Sequence, residues 1–139
     1  MLAMNHSLKI QNNETPYSGI QISAGFPSPA ESYVEEVMDL NKRLIKHPSA
    51  TFMVTVKGHS MSGAGIQNGD ILIVDRSIKP SHNAIVIAYL DGEFLVKRLI
   101  LKNNKVFLCS ESSDYGPIEI TSDRQFEIWG VVIHAIHSF

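Results

Sequence analysis

From Thr51 onward the chain is written in short apolar runs that alternate with polar residues and are bounded by turn formers. That texture predicts strands over Thr51–Lys57, Ile71–Asp75, Ala84–Leu90, Glu93–Leu101, Lys105–Cys109 and Gln125–His137. Asp91-Gly92 between two such runs is a hairpin signal, and Lys102-Asn103-Asn104-Lys105 marks a second reversal. Many short strands and little helical periodicity predict a mainly β fold, a compact sandwich or barrel.

Upstream of Thr51 the pattern differs. Residues 1–27 are polar and interrupted by Asn12, Asn13, Pro16, Gly19, Gly25 and Pro27, which predicts a flexible arm. Within it Gly19-Ile20-Gln21-Ile22-Ser23 alternates, so that this short segment is suited to lie as an added strand against a sheet edge. Ser28-Pro29-Ala30-Glu31 has the form of a capping box with proline at the first helical position. Tyr33, Val37, Leu40 and Leu44 follow at helical spacing, and Lys42, Arg43 and Lys46 stand in the last turns, where cations suit the helix dipole. The expected organisation is an arm over residues 1–27 and a single folded domain over residues 28–139 that begins with one helix.

Composition narrows the function classes. With 139 residues and 44% hydrophobic content, one domain can bury a core without disulfides or metals. A net charge of -2 argues against a broad phosphate-binding surface, hence against direct nucleic-acid binding or attraction to anionic membranes. The single cysteine, Cys109, lies in an apolar run, excludes an internal disulfide and suits a reducing compartment. The N-terminus has no basic start followed by an apolar export segment, and no run approaches the ~18 apolar residues of a membrane span. A cytoplasmic protein is expected. No Walker-type phosphate loop is present, and His134 and His137 have no Cys or carboxylate completing a metal set, so no cofactor is expected.

Two residues stand out as chemistry. Ser60, in Gly58-His59-Ser60-Met61, follows an apolar strand and precedes Ser62-Gly63-Ala64-Gly65, a stretch of small residues that permits a tight turn. Such a turn exposes a hydroxyl and offers the backbone N–H groups of Ser60 and Met61 as an oxyanion hole, although a serine in a Gly-rich turn is commonly only a turn residue. His59 is a poor base for its neighbour, because adjacent side chains point in different directions. Lys97 shares one strand face with Glu93, Leu95 and Leu99. Buried there, its pKa falls towards the range of a general base; alternatively it snorkels out or belongs to an edge strand. Trp129, Tyr33 and the methionines read as core or interface packing.

These pieces join into a larger pattern: Ala24-Gly25-Phe26-Pro27-Ser28-Pro29, Gly58-His59-Ser60-Met61, Asn68-Gly69-Asp70-Ile71-Leu72-Ile73-Val74-Asp75, and Asp91-Gly92-Glu93-Phe94-Leu95-Val96-Lys97-Arg98-Leu99. From about Ala24 to the Trp129–His134 strand the chain resembles the UmuD group of the LexA-like family of self-cleaving SOS proteins. The resemblance implies a β-rich Ser/Lys peptidase domain in which Ser60 is the nucleophile, Lys97 the general base, and Ala24-Gly25 the bond that is cut. It further implies a homodimer, stimulation of cleavage by a RecA filament on single-stranded DNA, and a shortened form that joins a UmuC-type Y-family polymerase subunit in error-prone translesion synthesis. Composition and spacing say nothing about these partners. One departure is Asn83-Ala84, where relatives often carry Gly-Asp.

Three other readings compete. A LexA-type repressor fragment needs a helix-turn-helix ahead of the protease half, and the residues before Ala24 do not resemble one. A signal-peptidase-like enzyme also pairs serine with lysine but is expected to carry a membrane anchor. A non-enzymatic β-rich interaction module would leave Ser60 and Lys97 structural.

Overall fold

In the computed structural model, residues 12–26 and 35–139 are described. The chain divides into two compact units, Met1–Lys46 and His47–Phe139. The capping-box sequence at Ser28–Glu31 and Tyr33 lie outside the described residues.

In the first unit, β1 (Glu14–Ser18) pairs antiparallel with β2 (Glu35–Asp39), Pro16 opposite Val37. This corrects two expectations. Part of the 1–27 segment is a strand, and its strand is Glu14–Ser18, whereas Gly19–Ser23 takes no regular structure. Val37, assigned by spacing to a helix, belongs to β2; the helix α1 covers only Leu40–Leu44. Local chemistry explains the late start: the Asp39 carboxylate accepts hydrogen bonds from Asn41 N at 2.9 Å and Lys42 N at 3.4 Å, an N-cap that begins the helix there. Proline is tolerated in β1 because a two-stranded ribbon has only edge strands.

The second unit is built on one antiparallel seven-stranded sheet, so the chain is mainly β. Its strands are β3 (Thr51–Thr55), β4 (Ile71–Asp75), β5 (Ile85–Leu90), β6 (Glu93–Lys102), β7 (Lys105–Cys109), β8 (Ile118–Ile120) and β9 (Phe126–Ile136). They run in the order β3-β4-β9-β5-β6-β7-β8. Six of the seven were expected from alternation; β8 was not, since three residues are too few to show a period. Asp91 and Gly92, and again Asn103 and Asn104, have positive φ, the primed turn that matches the twist of a two-residue hairpin. Asn83 also has a positive φ, 71°, a conformation that asparagine tolerates better than most residues.

Buried side chains gather in two clusters. One contains Val56, Met61, Ile66, Leu72, Val74 and Ile87, the other Val86, Ala88, Leu90, Leu99, Leu108 and Val131. Ile87 goes to the first cluster while Val86 and Ala88 go to the second, so β5 buries both of its faces. β9 lies between β4 and β5 and is shared between them: residues 126–131 pair with β5 and residues 131–136 with β4, so that Val131 has a ladder partner on both sides. A Cβ at Gly130 in β9 would stand 2.5 Å from Val74 Cγ1, so only glycine permits this approach of the two strands.

Candidate active site

Beyond β3 the chain passes through buried Val56, held by Val56 N donating to Asp70 O at 2.9 Å and Gly69 N donating to Val56 O at 2.8 Å. The Ser60 turn follows. Met61 is fully buried in the first core cluster and nails the turn down beside Ser60. A single 3-10 turn at Ser62–Ala64 is closed by Ala64 N on Met61 O at 3.0 Å and Gly65 N on Ser62 O at 3.0 Å. Two further bonds tie the turn to the segment after β7: Glu111 N donates to Ser60 O and Gly63 N to Glu111 O, both at 2.8 Å. Here glycine is required, because a Cβ at position 63 would lie 2.3 Å from the Glu111 carbonyl oxygen. Within the turn these bonds use the carbonyls of Ser60, Met61 and Ser62, and they leave the Ser60 and Met61 N–H groups out of them.

Lys97 sits in the middle of β6, opposite Val86 of β5. In the sheet order β6 stands between β5 and β7, so Lys97 is not on an edge strand, and the ladder to β7 begins at the next residue, Arg98. It is 8% exposed, so it does not snorkel to solvent either. Its Nζ lies 3.2 Å from Ser60 Oγ and 2.7 Å from Ser110 Oγ, with the Tyr115 ring centroid at 5.4 Å. Burial lowers its pKa from the ordinary lysine value, since an ammonium group is poorly solvated among apolar neighbours. A buried amine that loses its proton more easily, within hydrogen-bond reach of a hydroxyl, is suited to accept that hydroxyl's proton.

Ser60 and Lys97 open onto a cleft of about 440 Å³. One wall is the end of β3 and its continuation, residues 54–57; the other is residues 94–97 of β6, with Leu72, Ile87 and Trp129 completing the lining. Trp129, read from sequence as packing, therefore borders the cleft. It makes tilted and edge-on ring contacts with Phe52 at 5.4 Å and Phe94 at 6.2 Å, and Arg76 stacks over it at 4.8 Å. Phe94 remains 63% exposed. Two extended walls and an apolar floor fit an extended peptide.

Sequence reasoning missed Ser110. Its signal was slight: a hydroxyl immediately after the apolar run ending at Cys109. Cys109 itself is half-buried in β7, opposite Arg98. His59 is exposed, whereas His137 pairs with buried Asp70, Nδ1 to Oδ1 at 2.6 Å. Among the described residues no cluster of His, Cys, Asp or Glu has the arrangement of a metal site. No helix among them is long and apolar enough to cross a membrane.

Ala24 and Gly25 lie in the first unit, in an exposed bend over residues 24–26. Ser23 organises that bend: Gly25 N donates to Ser23 Oγ at 3.3 Å, and Ser23 Oγ donates to Phe26 O.

Comparison with known proteins agrees with the sequence pattern. The family model for S24-like peptidases matches residues 16–133. The chain is 46% identical over 122 residues to protein ImpA of Salmonella typhimurium, covering 88% of this chain and 83% of that protein. It is 43% identical over 122 residues to protein MucA of Escherichia coli, covering 87% and 83% respectively. Against the LexA repressor of Psychromonas ingrahamii it is 34% identical over 134 residues, 96% of this chain but 63% of the repressor. A match across most of the chain, joined to a β-rich fold and a buried lysine beside a turn serine, places the chain in the S24-like peptidase family, among its UmuD-like members.

Proposed function

We propose that this protein is a self-cleaving serine endopeptidase of the SOS mutagenesis response that cuts its own Ala24-Gly25 bond. The observation that carries the reading is the 3.2 Å approach of Lys97 Nζ to Ser60 Oγ, with the lysine 8% exposed and its pKa lowered by burial.

In the proposed reaction, neutral Lys97 accepts the Ser60 proton as Ser60 Oγ attacks the Ala24 carbonyl carbon. The tetrahedral oxyanion takes hydrogen bonds from the N–H groups of Ser60 and Met61. Collapse breaks the C–N bond, and the Lys97 ammonium returns its proton to the departing Gly25 amine. Water, deprotonated by Lys97, then hydrolyses the Ala24 ester on Ser60, leaving an Ala24 carboxylate and a chain that begins at Gly25. Exposure of Ala24 and Gly25 supports their role as substrate, and a glycine on the leaving side permits close backbone approach.

Residues 1–27 then act as a cleavable arm and residues 28–139 as the peptidase and dimerisation domain. Family likeness supports the wider setting: a cytoplasmic homodimer whose cleavage is stimulated by a RecA filament on single-stranded DNA. Its shortened form serves a UmuC-type Y-family polymerase, with no membrane and no sequence-specific DNA contact of its own.

Mass spectrometry tests the chemistry. Incubated near pH 10, the wild-type chain is expected to yield a new N-terminus at Gly25, and Ser60→Ala and Lys97→Ala are expected to remain whole. Equal resistance of wild type and Ser60→Ala would leave a non-enzymatic interaction module as the reading.

A further inference from the structure

Lys97 Nζ has two hydroxyl neighbours, and the nearer is not Ser60. Ser110 Oγ lies at 2.7 Å, against 3.2 Å for Ser60 Oγ. The sheet register explains why. Arg98 pairs with Cys109 at the end of the β6–β7 ladder, so one step further along the same antiparallel register Ser110 falls opposite Lys97. Directly opposed residues point to the same side and their side chains meet.

The chemistry of a neutral amine gives that contact a task. Such an amine has two N–H bonds and one lone pair, and general-base catalysis needs the lone pair aimed at the Ser60 proton. With Ser60 as sole partner, the amine can equally donate an N–H to Ser60 Oγ, which blocks proton transfer in the required direction. Resting on the reading of Lys97 as general base, we infer that Ser110 is a positioning residue: its hydroxyl oxygen accepts an N–H from Lys97 and turns the lone pair towards Ser60. After proton transfer the same oxygen still accepts from the ammonium, within a cleft whose other lining near Lys97 is largely apolar.

The segment carrying Ser110 also holds the nucleophile. Glu111 exchanges backbone hydrogen bonds with Ser60 and Gly63, and its carboxylate pairs with Arg98, whose Nη1 donates to Asn83 O at 2.7 Å. Two consecutive residues thus fix the base through a side chain and the Ser60 turn through the backbone. The titratable and charged groups around Lys97 are Tyr115, Lys57 on the facing wall of the cleft, and the Arg98–Glu111 pair. Among the described residues no carboxylate pairs with Nζ, which leaves the two serine hydroxyls as its hydrogen-bond partners.

The test is the pH profile of self-cleavage in the full chain, for wild type, Ser110→Ala and Ser110→Thr. Ser110→Ala is expected to lower the alkaline plateau rate about tenfold, the effect of one hydrogen bond of ordinary strength. It is also expected to move the midpoint to lower pH, because the ammonium form loses an acceptor. Ser110→Thr, which keeps the hydroxyl, should restore both. NMR titration of the Lys97 side chain in a Ser60→Ala background should show the same downward move on adding Ser110→Ala, with no cleavage needed. An unchanged midpoint and Lys97 titration in Ser110→Ala would overturn the inference, whether or not the melting temperature falls. If wild type does not cut at all, the self-cleavage reading fails, and the Lys97 titration still decides whether Ser110 governs the amine.

Discussion

Lys97 is the residue at which stability and function pull apart. Its pKa is lowered in the fold, so between its folded and unfolded values the unfolded chain binds more protons, and stability rises with pH across that interval. Below the folded value the full penalty of holding an ammonium among apolar neighbours is present. Lys97→Met should therefore abolish self-cleavage and raise the melting temperature at pH 7, with the gain shrinking as pH climbs towards the ordinary lysine value. A melting temperature that falls at pH 7 would mean that the two serine contacts outweigh burial. The cleavage profile has the same origin: the rate is expected to rise with pH as the neutral amine accumulates and to level off above the Lys97 pKa. The chemical type of Lys97 and its strand face were legible in the sequence; its burial was not, because alternation does not tell an edge strand from a central one.

Among the elements, the ends of β4 show how side chains fix the chain that flanks a strand. Asp75, fully buried at the C-terminal end of β4, accepts hydrogen bonds from Ser77 N at 2.8 Å and Ser77 Oγ at 2.6 Å, and pairs with His47 Nδ1 at 2.6 Å. These partners, Ser77 foremost, hold its pKa at about 2. A carboxyl with a depressed folded pKa contributes stability above its unfolded value of about 4, and that contribution is lost as pH falls through about 2. Asp75→Asn should accordingly melt below wild type at pH 7, and the two curves should converge by about pH 2. Parallel curves across that range would show that the carboxylate charge is not what stabilises the loop. At the other end of β4, Asp70 pairs with His137 and accepts from Gln67 N at 2.8 Å, anchoring the chain just before the strand. Most strands of the seven-stranded sheet are readable from period and turn chemistry, whereas the 35–39 strand is not, because Val37, Leu40 and Leu44 fit a helical spacing too.

At the scale of the whole molecule, every strand of the seven-stranded sheet comes from residues 51–136, and so do Ser60, Lys97 and Ser110. A chain beginning at Gly25, the proposed product, is expected to keep one cooperative melting transition within a few degrees of the Ser60→Ala full-length protein. A larger drop would assign part of the stability to residues 1–24. Calorimetry on the two purified forms decides between them.

By itself the sequence determined the class of fold, the positions of most strands and hairpin turns, and the family, since these follow from local period, turn chemistry and linear motifs. It also named Ser60 and Lys97. Tertiary structure alone decided that Lys97 is central and buried, that Trp129 borders the cleft, and that Ser110 stands opposite Lys97. Those facts depend on strand order and register, and side-chain contacts between residues 37 and 13 positions apart leave no mark in the local spacing of the chain.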